Sequence, residues 1–367
     1  MKRSFRNYLF IALIPLLSPL LNSCQGQSPR ENQSSIQLPF QETIRATGAG
    51  ASFPAPLYQN WFIQLNNEVP QLQFNFQSVG SGAGIEQFTT GTIDFGASDI
   101  AMTDEQIARI SRGVLLLPMT AGSIVLAYNL PGVTDLKLTR EAYVGIFLGQ
   151  ITRWNDAKIA STNPGVKLPD QQITVVRRSD GSGTTNVFTK HLSAISPEWK
   201  KLVGAGTAVQ WLSPKRNFIA GRGNEGVTSL VFQTANSIGF VEYGFAKKSG
   251  LAVAALENKE GQFIVPNNES GTYTLSQVEL PDNLRAFITD PPGKESYPIV
   301  TYTWMLLFKQ YSEPNKAIAM EAMIQYGLNQ GQKQSEALGY IQLPDNVRQK
   351  VAAAADQLSP DFTIKLE

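Results

Sequence analysis

Residues 173–188 read ITVVRRSDGSGTTNVF. Ile173–Ser179 is β-branched and apolar with two arginines, as a strand would be; from about Thr184 to Ile195 the pattern turns helical. Between them, Asp180–Thr185 (DGSGTT) fills the turn with glycines and hydroxyls. A strand running through a glycine-rich turn into a helix is a building unit of α/β folds. The first N–H groups of such a helix have no partner within it, and its dipole favours negative charge there. Glycine admits an anion close to the backbone, and Ser and Thr add donors. An aspartate in such a cradle needs an explanation.

Two further stretches have the same grammar. TGAGASFPAP (47–56) precedes a helix in which Leu57, Trp61, Phe62 and Leu65 share a face, and GSGAG (80–84) lies between a strand and a helix. One such loop is ordinarily a helix cap. Three of them, each after a strand, fall on the edge where open α/β sheets bind ligands. None reads GxxxxGK[ST], and GAGASF and GSGAGI lack the third glycine of GxGxxG, so neither a P-loop nor a dinucleotide site is supported.

The remaining chain alternates in the same way. Residues 71–80 and 93–99 read as strands, 84–93 as a helix, and 102–110 as a helix opened by Thr103 and Gln106 at capping-box spacing. GVLLLPMTAGSIVLAYNL (113–130) reads as two strands, and IGFVEYGFA (238–246) as one more. Residues 314–328 and 344–358 are helical, the latter with Val347, Val351, Ala354, Ala355 and Leu358 on one face. The alternation predicts α/β architecture with largely parallel sheets. Residues 257–297 are rich in Asn, Pro and Gly and have no clear reading.

Composition narrows the function. The 367 residues suit two domains. With 31 Lys plus Arg against 30 Asp plus Glu there is no field for broad nucleic-acid binding. The one histidine, His191, reads as a surface or packed residue; a His/Cys metal cluster is excluded, a serine triad would depend on His191 alone, and no cofactor is expected. Lys2, Arg3 and Arg6 followed by apolar Leu9–Leu21 form a secretory signal over 1–23. Its removal leaves 28 cations against 30 acids, a side-chain charge of −2. Leu21-Asn22-Ser23-Cys24 resembles the bacterial lipoprotein cleavage box, with Cys24 lipidated; an ordinary signal with a chance cysteine is the alternative. Cys24 is the only cysteine, so no disulfide forms within the chain. Residues 24–43 are polar and aperiodic and read as a tether; their reach is roughly 60 Å.

Two aspartates remain. Asp180 is two positions from Arg178, so on extended backbone both side chains face one way, and the carboxylate would hold the guanidinium flat toward a ligand. Arg177 would then face solvent. Asp99, ending 93–99, either caps the following turn or faces the anion. In the second case an ionised carboxylate, which only accepts, would reject an anion without a proton and accept one that carries a proton. Phosphate has such a proton at neutral pH; sulfate does not.

In order, TGAGASFPAP, VGSGAG, TIDFGASD, VVRRSDGSGTT and IGFVEY resemble the phosphate-binding proteins of bacterial ABC-type phosphate transporters, from about residue 44 to 358. The resemblance implies a two-lobed periplasmic-binding-protein type II fold: α/β sandwich lobes joined by a two-strand hinge, closing on phosphate. It implies lobe one at 44–120 plus 298–367 and lobe two at 121–297. It further implies phosphate contacts from Ser52, Phe53, Ser81, Asp99, Arg178, Ser182, Gly183 and Thr184, with Asp180 supporting Arg178. The expected protein is a monomer without catalysis, delivering inorganic phosphate to ABC permease subunits on the extracytoplasmic side. A secreted phosphatase and a binder of another oxyanion are the competing readings.

Overall fold

A computed structural model describes residues 36–212 and 217–367. Twelve strands are present among them: β1 (Ile44–Gly50), β2 (Leu72–Ser78), β3 (Phe95–Ser98), β4 (Val114–Asn129), β5 (Lys137–Leu138), β6 (Thr174–Arg178), β7 (Phe218–Gly221), β8 (Ser237–Glu242), β9 (Ala252–Val253), β10 (Ala255–Glu257), β11 (Phe263–Ile264) and β12 (Val300–Phe308). One sheet runs β2-β1-β3-β12-β4-β8-β6-β7, with β9 added on β4; β11, β10 and β5 make a small second sheet. Strands followed by a glycine-rich turn and a helix are parallel to their neighbours: β1 with β2 and β3, β6 with β7 and β8. β12 is antiparallel to β3 and β4, and β4 is antiparallel to β8 and β9. The sheet is therefore mixed, not largely parallel as expected.

The expected pair of strands in 113–130 is one strand. β4 runs unbroken, buried from Val114 through Tyr128. Its Pro118 does not end it, because Pro118 lies at a bulge: Trp304 pairs with Pro118 and Thr303 with Thr120, which leaves Met119 as the extra residue. β4 changes partners midway. Up to Ser123 it pairs with β12, and from Ile124 with β8. Two lobes grow from this one strand, and Gly122 sits at the change. A side chain there would meet the Phe53 ring at 2.9 Å.

Each lobe has an aromatic core. In the first, Tyr58 and Phe62 of the helix Ala55–Glu68 pack on Phe74, Phe76 and Phe95 of β2 and β3, and Trp61 packs on Tyr58. In the second, Phe188 stacks on Phe240 at 4.5 Å, with Phe147 and Trp211 around them. Removing one such buried ring costs about 3–5 kcal/mol. The capping box at Thr103 and Gln106 forms in both directions. Tyr243–Lys248, expected to extend a strand, is a helix, since Glu242 ends β8 and caps the turn by accepting from the Gly244 N–H.

At the N-terminal side, Ile36 and Phe40 are buried in the core and Asn315 donates to Glu42. Two apolar side chains thus dock the end of the expected tether, and residues 36–43 belong to the folded body. Residues 277–299 have almost no regular structure but bridge the lobes. Leu284 accepts from the Trp304 indole, Arg285 pairs with Asp104 at 2.7 Å, and Asp290 pairs with Arg140 at 2.8 Å. Signal and lipid positions, Cys24 included, lie outside the described residues. No helix among the described residues is long and apolar enough to cross a membrane.

Candidate functional site

The C-terminal ends of β1, β2, β3, β6 and β7 converge between the lobes. β1 leads to Ser52 and Phe53 and the helix Ala55–Glu68; β2 leads through Gly80 to the helix Ser81–Thr89; β6 leads through Asp180 to the helix Gly183–Ile195. Gly80 has φ 93°, a conformation natural to glycine alone, and a side chain there would run into the Asp180 carboxylate. The lobes touch here. Gly82 donates its N–H to the Gly181 carbonyl at 2.9 Å, and a Cβ on Gly183 would lie against Ser81 Oγ and 2.7 Å from Asp99 Cβ.

Every residue expected in the site is found at this junction. Ser52, Phe53, Ser81, Asp99, Arg178, Ser182 and Thr184 are all buried, none more than 3% exposed. Arg178 holds Asp180 with two bonds, Nε to Oδ1 at 2.8 Å and Nη2 to Oδ2 at 2.5 Å, and Gly223 N–H adds a third at 3.0 Å. Burial works to raise the Asp180 carboxyl, but the Arg178 bonds and charge outweigh it and hold the group below its ordinary value. The other edge of the guanidinium is bare: Arg178 Nη1 is buried with no partner. Arg177 is half-buried rather than in solvent, donating to the Arg178 carbonyl.

Asp99 accepts from the Thr303 hydroxyl at 3.0 Å and from the Thr184 hydroxyl at 3.1 Å. Burial pushes its carboxyl up to about 6, against the pull of Thr303, the Arg178 charge and Thr184. It also accepts from the Thr184 backbone N–H, but it does not close its own turn: the turn after β3 is closed by Ser98, which bonds both the carbonyl and the N–H of Ile100. Ser81 Oγ accepts from the Asp99 N–H at 3.3 Å, and Ser182 Oγ accepts from the Thr185 N–H at 3.0 Å as a helix cap. Both hydroxyls keep their protons to donate. The junction thus offers hydroxyl donors, one bare guanidinium edge, and the Asp99 carboxylate. His191 is packed away from it, bonded to the Tyr143 hydroxyl at 2.8 Å, and burial lowers it to about 3. No group of His, Cys, Asp and Glu suited to a metal occurs among the described residues.

Two partners escaped the sequence. Thr303 lies in β12 and carries no motif. Asn224 opens the helix Gly223–Gln233 and bonds Ser52 Oγ through both its N–H, at 3.0 Å, and its side-chain amide, at 2.9 Å. Its loop, GRGNEG (221–226), follows a strand and starts a helix, so it is a fourth copy of the same grammar.

Residues 39–329 match the PBP superfamily domain. The chain is 41% identical over 311 residues to the phosphate-binding protein PstS of Pasteurella multocida, covering 84% of this chain and 88% of that one. It is 39% identical over 314 residues to the protein of the same name from Haemophilus influenzae, with 84% and 92% covered. In fold it is similar to a phosphate-binding protein from Stenotrophomonas maltophilia, with a TM-score of 0.68 at 20% identity over 84% of this chain and 93% of that one. A domain match across most of the chain, and identities near two in five over most of each relative, make this protein a member of the PBP superfamily and of its PstS phosphate-binding branch.

Proposed function

We propose that the junction binds inorganic phosphate and that the protein delivers it, without catalysis, to the permease subunits of an ABC-type phosphate transporter. The observation that carries this is the pairing of the bare Arg178 Nη1 with the buried Asp99 carboxylate amid donors. Phosphate oxygens would accept from Arg178 Nη1, the Ser52, Ser81 and Ser182 hydroxyls, and the N–H groups of Phe53, Gly183 and Thr184. The phosphate proton would go to Asp99, displacing the Thr184 hydroxyl, which turns to the guest. Asp180 stays behind Arg178 and touches no phosphate. Buried, unpaired like charges would cost several kcal/mol, so an anion without a proton is rejected. The names of the relatives favour phosphate over other oxyanions and binding over catalysis.

A crystal grown with phosphate tests this. It should place one phosphate oxygen within hydrogen-bond distance of Asp99 and another on Arg178 Nη1. An empty junction at saturating phosphate overturns the proposal.

The protein works as a monomer on the extracytoplasmic side, held to a membrane through lipidated Cys24. Cys24→Ser should move the protein from the membrane fraction to the soluble one, with phosphate affinity unchanged; retention in the membrane fraction would remove the anchor.

A further inference from the structure

Asn224 has every polar group engaged, and the pattern of those bonds dictates what Ser52 can do. The Glu242 N–H donates to Asn224 Oδ1 at 3.0 Å, which fixes which way the side-chain amide faces. Its NH₂ therefore points to Ser52 Oγ at 2.9 Å and reaches Thr184 Oγ1 at 3.3 Å. The Asn224 backbone N–H reaches the same Ser52 Oγ at 3.0 Å. A hydroxyl has two acceptor sites and one proton. Both acceptor sites of Ser52 are thus filled from one residue, and its proton is left with nothing to do but donate.

We propose that Asn224 is a positioning residue that makes Ser52 an obligate donor toward the guest. This rests on the reading of the junction as a phosphate site. It splits the recognition task between two buried residues: Ser52, so held, demands an oxygen that accepts, and Asp99 demands one that donates. A guest with both kinds of oxygen fits one way round. The contact also crosses the lobes, because Ser52 follows β1 and Asn224 follows β7. Asn224 therefore aims the hydroxyl only once the lobes have met.

A double-mutant cycle on phosphate affinity, read by titration calorimetry on the full mature chain, separates this role from a structural one. Asn224→Ala in the wild-type chain should weaken phosphate binding about tenfold or more. In a Ser52→Ala background the same change should cost about threefold or less, the remainder passing through Thr184. Equal factors in the two backgrounds overturn the inference while leaving phosphate binding intact. Failure of the unaltered protein to bind phosphate overturns both. Asn224→Asp covers the case in which the alanine variant does not fold. It keeps the acceptor for the Glu242 N–H and turns the donor face into an acceptor, which captures the Ser52 proton. Its loss should also be at least about fivefold larger with Ser52 present than in the Ser52→Ala background, and an equal loss counts against the proposal.

Discussion

A buried carboxyl raised to about 6 has two characters within an accessible pH range. Above that value Asp99 is ionised and can only accept; below it the group carries its own proton and can donate to a bare oxyanion. Sulfate binding should therefore strengthen at least about tenfold as pH falls from about 8 to about 5. Phosphate, which keeps a proton throughout, should change less. Asp99→Asn offers a donor at every pH, so it should bind sulfate at pH 8 and lose this dependence. Competition of sulfate against labelled phosphate reads both, and a flat sulfate profile in the unaltered protein would take Asp99 out of discrimination. Arg178→Ala removes a charged donor and strands Asp180, so it should weaken every anion by about 10- to 100-fold without choosing among them. The Arg178–Asp180 pair was legible because opposite charges two positions apart lie within reach of each other, although Asp180 itself falls in the turn just after β6. Thr303 was not, because its role comes from the neighbour of β12 across the sheet, and pairing between distant strands leaves no local trace.

At the scale of elements, helix starts from both lobes meet at one junction. Their approach is close enough that Gly183 admits no side chain: its Cβ would lie 2.7 Å from Asp99 Cβ, an atom that cannot swing away. Gly183→Ala should thus hold the lobes apart and weaken phosphate binding at least about tenfold, since every contact across the junction shifts with it. Its thermal midpoint without phosphate should stay near that of the unaltered protein, because the clash exists only on closure. A midpoint far lower, or affinity unchanged, would show that the junction is not a closing one. The three glycine-rich loops were legible in advance because a helix start has a local chemical grammar. The continuity of β4 was not: Pro118 and Gly122 both look like breakers in sequence. One is tolerated by a bulge and the other is required by the Phe53 ring, and each reason lies on another segment.

The whole molecule is two lobes on one shared strand, with residues 284–290 tied to both. That tie, and the docking of Ile36 and Phe40, depend on long-range packing, which is why composition alone left 257–297 without a clear reading and counted 36–43 in the tether. The architecture matters for selectivity because closure removes water from the junction, and only then does an unpaired proton or lone pair become expensive. The central claim is that a buried, ionised Asp99 requires a proton from the guest. The direct measurement is titration calorimetry of the mature protein at about pH 8 with phosphate and with sulfate. The account predicts phosphate binding with sulfate weaker by about 10⁴-fold or undetectable. Sulfate binding within about tenfold of phosphate at that pH would contradict it.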